Sequence, residues 1–242
     1  IGKLAAASGE TAQDFRAKGV AAADLVAAAC FEPYELKDAG LGADEMSAAG
    51  LPLARILEAG FDASELRGCS DADDPGALLQ AGYGFDEVAS AFRIDLGTGR
   101  DRLALLHVMH AIGCATELKR KGWGGQNLAK WAGVKTNGKG RVVELDLSGL
   151  KANGSLPALP ETIRELQYLE RLSLKGNDKL VGPLPRGLGF LDHLSELNLV
   201  GTGLRFPGTG VPASKRVEGE KVAAFCERLF YVPVADVPFA GR

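Results

Sequence analysis

Arg141–Leu150, Tyr168–Asn177 and His193–Thr202 read RVVELDLSGL, YLERLSLKGN and HLSELNLVGT. Each holds an LxL pair with a leucine or valine three residues before it, and the pairs recur about 25 to 27 residues apart. Alternating apolar residues describe a strand with one face buried, so the period predicts three equivalent strands stacked side by side. The residues between the leucines then point outward: Glu144, Asp146 and Ser148, then Arg171, Ser173 and Lys175, then Glu196, Asn198 and Val200. This face is mixed in charge and three strands wide. It suits a peptide segment or another subunit's loop rather than a small ligand, which needs a deep apolar pocket. Between the strands, SLPALPETIREL and PLPRGLGFLDHL are proline-bounded segments that return the chain to the next strand.

The period and leucine spacing match a leucine-rich repeat. Gly154-Ser155-Leu156-Pro157 and Gly182-Pro183-Leu184-Pro185 resemble the LxGxLP turns of its plant-type subfamily. Asn177 stands where that repeat's inward asparagine bonds neighbouring backbone, while Leu150 and Thr202 hold the equivalent places. Upstream, DRLALLHVMHAIGC, KGW and LAKWAGVKTNGKG resemble the N-terminal cap of plant and algal leucine-rich repeat proteins. The resemblance covers Asp101 to Leu204 and implies that a tryptophan packs beneath the first strand. Secreted plant members carry two cysteines around this element; Ala129 and Thr136 replace them here, which argues against an extracellular receptor. VEGEKVAAFCERLFYV, with Val222, Phe225, Cys226 and Leu229 on one face, predicts a closing helix, and VPVADVPFAGR a docking tail.

The first hundred residues follow another period. LKDAGLGADE, MSAAGLPLAR and ILEAGFDASE run without a gap from Leu36 to Glu65, and FRAKGVAAAD and LLQAGYGFDE share their frame. Gly19, Gly40, Gly50, Gly60 and Gly82 read as left-handed stops of short helices, one per ten residues. The residue after each closes the turn, and acids such as Asp44, Glu45, Glu65, Asp86 and Glu87 suit the next first turn. Helices of two turns are unstable alone, so the units must stack. Cys30, in place of a glycine, and Cys69, in place of an alanine, read as small packing residues. The pattern resembles LxxAGFxxxE repeats of protist and algal proteins. SDADDPGA reads as a surface loop; Asp71, Asp73 and Asp74 lack the spacing of an EF-hand.

The fold expected is therefore mixed α and β: a short-helix α-solenoid over 1–96, a helical cap over 97–140, leucine-rich repeats over 141–212, and a capping helix and tail over 213–242. A net charge of −3 in 242 residues offers no basic stripe, so nucleic acid is not an expected partner, and no apolar run spans a membrane. Four scattered cysteines without a CxxC pair form no metal set and point to a reducing, intracellular compartment. The chain begins at Ile1, which fits either a removed targeting segment, as for a chloroplast or other organelle, or a piece of something longer. His107, His110 and Cys114 fall at i, i+3 and i+7 and could share a metal, but packing explains them better. Glu144 and Asp146 read as solvated strand residues rather than a catalytic pair. No nucleophile elbow or phosphate loop occurs. No enzyme activity and no cofactor are expected. The function expected is a protein–protein interaction scaffold, a structural or linker subunit of a larger assembly such as an algal organellar complex. The alternative is a receptor-like or regulatory peptide-binding module.

Overall fold

The computed structural model describes residues 1–69, 74–97, 99–150 and 159–230. Asp71 and Asp73, the Gly154–Pro157 turn and the tail from Val232 lie outside the described residues. The chain divides into two compact units, Ile1–Ile94 and Asp95–Arg242.

The first unit is built of short helices: α1 (Gly2–Ser8), α2 (Ala12–Ala17), α3 (Ala22–Ala27), α4 (Pro33–Asp38), α5 (Ala43–Ala48), α6 (Leu53–Glu58), α7 (Pro75–Gln80) and α8 (Phe85–Ala91). The repeat glycines end them as expected, with φ between 71° at Gly60 and 103° at Gly82. The residue after the glycine then donates its N–H five residues back, Leu41 to the Leu36 carbonyl at 3.1 Å and Leu51 to Met46 at 3.0 Å. The acid at the end of each ten-residue unit has a definite task. Glu35 accepts from the Glu32 N–H at 2.7 Å, Glu45 from Gly42 at 3.2 Å and Glu65 from Asp62 at 2.8 Å. A carboxylate three residues into a helix thus satisfies a backbone donor that the helix itself leaves orphaned. The same acids bind cations from elsewhere in the unit, Arg16 to Glu45 at 2.8 Å and Lys37 to Glu65 at 3.2 Å. Helices pack on those two positions along, α2 on α4, α3 on α5 and α4 on α6, burying Leu25, Leu36, Met46 and Ile56.

Two expectations fail here. Cys30 does not replace the stop glycine. Ala29 does, at φ 49°, because this unit is one residue longer than its neighbours; Cys30 is exposed, while Cys69 is buried as a packing residue. The unit after Gly60 holds turns from Ala63 to Leu66 instead of an α-helix. Asp62 still caps it, its Oδ1 accepting from both Ser64 and Glu65 N–H at 2.8 Å, but the single turn goes no further before the left-handed Gly68 at φ 106°.

The second unit opens with α9 (Arg100–Ala111) and α10 (Ala115–Arg120), separated by the left-handed Gly113. α9 is buried around most of its circumference, Leu105 and Ala104 included, so it is a core helix rather than a one-sided amphipathic one. The strands follow: β1 (Val134–Thr136), β2 (Val142–Asp146), β3 (Arg171–Ser173), β4 (Val181–Pro183), β5 (Glu196–Asn198), β6 (Gly203–Arg205) and β7 (Arg216–Glu218). The main sheet has the order β1-β2-β3-β5-β7, with β2, β3 and β5 parallel and in register, and with antiparallel β1 and β7 on either side. A short 3-10 turn follows β2 at Glu161–Glu165 and another follows β4 at Arg186–Phe190, and β4 pairs with β6 in a second sheet. The leucines of the three motifs are buried almost completely. α11 (Glu220–Glu227) closes the far end with Val222, Phe225, Cys226 and Leu229 buried and Phe225 4.8 Å from Phe206.

The cap is held by more than packing. Asp101, 1% exposed, accepts from Arg141 Nε at 3.0 Å, Arg141 Nη2 at 2.7 Å and the Val142 N–H at 2.7 Å. It thereby satisfies the first N–H of β2 and fixes α9 to the sheet. Trp123 and Trp131 lie 4.9 Å apart, donating to the carbonyls of Ala132 at 3.0 Å and Gly125 at 3.2 Å. Gly133 is forced: at φ 80°, a Cβ there would stand 2.0 Å from the Asp146 carbonyl oxygen. This close approach lets the turn after Trp131 run against the first leucine strand.

Candidate functional site

The outward residues of β2, β3 and β5 stand in rows across the sheet because the strands are in register. Glu144 faces Arg171 and Arg171 faces Glu196; Asp146 faces Ser173 and Ser173 faces Asn198. The flanking strands extend the first row, with Lys135 opposite Glu144 and Glu218 opposite Glu196.

That row alternates in sign from Lys135 to Glu196, ends on a second acid at Glu218, and is tied together by ion pairs. Arg171 donates from Nε at 2.9 Å and Nη2 at 2.6 Å to Glu144 Oε2, and Lys135 reaches the other oxygen at 2.9 Å. Arg216 binds Glu196 at 2.7 Å and Glu218 at 2.6 Å. The hydrogen bonds from Lys135, then Arg171, hold the Glu144 carboxyl below its usual range, and Glu144 in turn raises Arg171. In the next row Ser148 donates to Asp146 at 2.5 Å and shares a 2.7 Å hydrogen bond with Ser173. Lys175 and Val200 are exposed at the ends of their strands. Glu144, Asp146, Arg171, Ser173 and Glu196 line a shallow depression of about 180 Å³. All nine outward residues therefore belong to strand ends or strands of one sheet. Lys135, Arg216 and Glu218 complete the face, and no leucine spacing marked them, since they come from antiparallel strands outside the repeat.

A second series went unread in the sequence. The first residue of each motif, Arg141, Tyr168 and His193, forms a stack: the Arg141 guanidinium lies 4.6 Å over the Tyr168 ring, which stacks on His193 at 5.7 Å and 14°. The signal was there, as three flat side chains at one repeat position.

Inside the stack, Asn177 is buried and donates through Nδ2 to the carbonyls of Leu147 and Leu174, both at 2.8 Å. It links two repeats. Thr202 bonds only the Leu199 carbonyl within its own repeat, at 2.8 Å, and Leu150 makes an apolar substitute.

The histidine and cysteine face does not assemble. Gly113 turns the chain before Cys114, which caps α10 instead of continuing α9. His107 shares a 2.9 Å hydrogen bond between its Nδ1 and Thr162 Oγ1. Burial first, and then His110, push its pKa down to about 4. Among the described residues no group of three His, Cys, Asp or Glu side chains is placed to hold a metal ion. No helix of the described residues is long and apolar enough to cross a membrane.

No family model matches the chain. Over 78 residues, 32% of its length, it is 36% identical to the leucine-rich repeat receptor-like serine/threonine-protein kinase RGI4 of Arabidopsis thaliana, and it spans 7% of that protein's length. A plant ice-binding protein of known structure superposes with a TM-score of 0.39 at 23% identity, covering 44% of this chain and 34% of that one. The kinase likeness supports leucine-rich repeat character for the part of the chain it covers.

Proposed function

We propose that this chain is a non-catalytic interaction scaffold, in which a stack of short helices joins a capped, three-repeat leucine-rich stack, and that it serves as a structural or linker subunit of a larger assembly. One observation carries this reading: the outward side chains of β2, β3 and β5 form a continuous polar face, with neighbouring strands paired to the sheet on both sides. Such a face offers many shallow polar contacts, which suits a protein surface better than a small substrate. The alternating row favours a partner that presents opposite charges at strand spacing, with the Arg171 and Glu196 side chains as its central contacts. All four cysteines are thiols, three of them buried, which agrees with a reducing compartment.

The test is retrieval from native extract by the full chain, followed by cross-linking. The reading requires a stoichiometric partner whose cross-links fall around β3 and β5. It also requires that Arg171→Glu combined with Glu196→Lys release that partner. A chain that stays a lone monomer, or a partner indifferent to the double substitution, would sink it.

A second reading is favoured by the depression at Glu144, Arg171 and Glu196, which has room for a few side chains of an extended peptide. In that case a free peptide, rather than a folded subunit, is retained by the chain and lost on Arg171→Glu.

A further inference from the structure

The net charge of the whole chain conceals a segregation. Residues 1–94 carry 16 Asp and Glu against 7 Lys and Arg, a formal −9, whereas residues 95–242 carry 15 against 21, a formal +6. Within the second unit the excess concentrates in residues 118–143, which hold seven Lys and Arg and no Asp or Glu. A basic stripe therefore exists after all, contrary to what the chain-wide balance led us to expect.

This stripe is the cap of the strand stack: the end of α10, the tryptophan turn and the hairpin between β1 and β2. Lys119, Arg120, Lys121, Lys130, Lys135 and Lys139 are exposed. The fold draws them together. The Ala132 N–H donates to the Lys121 carbonyl at 3.2 Å, and a Cβ on Gly122 would stand 3.0 Å from the Lys130 carbonyl, so the end of α10 lies against the turn that carries Lys130. Beside Lys130, and bordered by the hairpin of Lys135 and Lys139, opens a crevice of about 420 Å³ lined by Gly99, Arg102, Gln126, Asn127, Thr136 and Gly140 among others. Arg102 is fixed in its wall by donating to the carbonyls of Gly124 at 3.1 Å and Gly125 at 3.3 Å. Of the stripe's cations, Arg141 is bound by the buried Asp101 at 2.7 Å, while Glu117 binds Lys121 at 2.7 Å and Glu144 binds Lys135 at 2.9 Å, both exposed lysines in pairs of small energetic weight.

We propose that the cap is a second docking surface, adjoining the strand face at Lys135, and that its partner is an acidic protein segment, a short extended stretch rich in Asp and Glu. Charge complementarity carries the choice, and the crevice, with amide, guanidinium and backbone groups in its wall, suits a polar chain rather than an apolar helix. A nucleic acid fits less well. Trp123 and Trp131, the aromatic rings of this stretch, are buried in the cap and offer bases nothing to stack on. The net charge of −3 over the whole chain also disfavours a long polyanion or an anionic membrane more than a short acidic segment.

The experiment uses the full chain and a labelled peptide of twelve glutamates, read by fluorescence anisotropy. The peptide should bind, and binding should weaken roughly tenfold or more between about 50 and about 200 mM salt. Lys119→Glu, Lys130→Glu and Lys139→Glu together should weaken it at least about tenfold, and the corresponding glutamine triple variant by an intermediate factor. Lys179→Glu, Arg186→Glu and Lys221→Glu make the same change of charge elsewhere on the second unit and should cost only about twofold, which separates a local surface from mere net charge. Tryptophan fluorescence verifies that each variant keeps its cap. The proposal is overturned if the peptide fails to bind, or if the two charge-reversed sets weaken it equally. It is also overturned if duplex DNA or phosphatidylserine vesicles bind more tightly than the peptide, or if the cap lysines act only through self-association of the chain. Since no strand-face residue is altered, failure here leaves the strand-face reading standing, and the reverse also holds.

Discussion

The two units solve the same problem, stacking small repeats, with opposite distributions of stabilising contacts. In the first, each repeat carries its own left-handed stop and several carry a capping acid, at Glu35, Glu45, Glu65 and Glu87, so that no single side chain bears much of the whole. In the second, a few buried polar groups hold long-range junctions: Asp101 ties α9 to β2, and Asn177 ties one repeat to the next. A unit of the first kind should degrade gradually under substitution, and one of the second kind abruptly.

Asp101→Ala is the severest challenge to that contrast. It leaves Arg141 and the Val142 N–H without their buried acceptor, and about 3–5 kcal/mol of stability should disappear from the second unit. Both tryptophans of the chain lie in that unit, so urea unfolding followed by their fluorescence reports it alone. A loss below about 1 kcal/mol would erase the distinction between the units. Asn177→Ala comes next, with about 1–3 kcal/mol lost by the same measurement as the Leu147 and Leu174 carbonyls are left buried and unpaired.

Acid should separate the units as well. His107 takes its proton near pH 6.5 when unfolded and near 4 when folded, so the unfolded state binds more protons between those values. Stability of the second unit is therefore fully present above about 6.5 and falls as pH drops towards 4, by about 1–2 kcal/mol once partial screening by water is allowed for. His107→Gln should flatten that slope; an unchanged slope would assign it to other groups. In the first unit, Glu45→Ala removes one helix cap and one exposed ion pair and should cost only about 1 kcal/mol, read by helical circular dichroism on melting. The smallest effect has the opposite sign. Ala29→Gly relieves a left-handed alanine and should stabilise the first unit by about 0.5–1 kcal/mol; any destabilisation would mean that Ala29 is not strained.

What the sequence disclosed, and what it hid, follows the range of the interactions. Local rules left local marks: the stop glycines, the acids that cap, and the LxL pairs were readable because each acts within a few residues of itself. Asp101 was missed because its partners are 40 and 41 residues away and nothing near it announces a need for burial. The flanking strands β1 and β7 were missed for a similar reason. Each is three residues long and is a strand only because β2 or β5 lies beside it. Cys30 was misplaced by one residue because the alanine run around it hides an extra residue in the period. The basic cap was hidden by averaging, since acids in one half cancel cations in the other.

The arrangement of the main sheet also bears on how the chain can change length in evolution. With a strand of reversed direction at each flank, a unit appended at either extremity would find no parallel neighbour to receive it. Growth has to come from within, by duplication between Val142 and Asn198, where the newcomer meets its own kind on both sides.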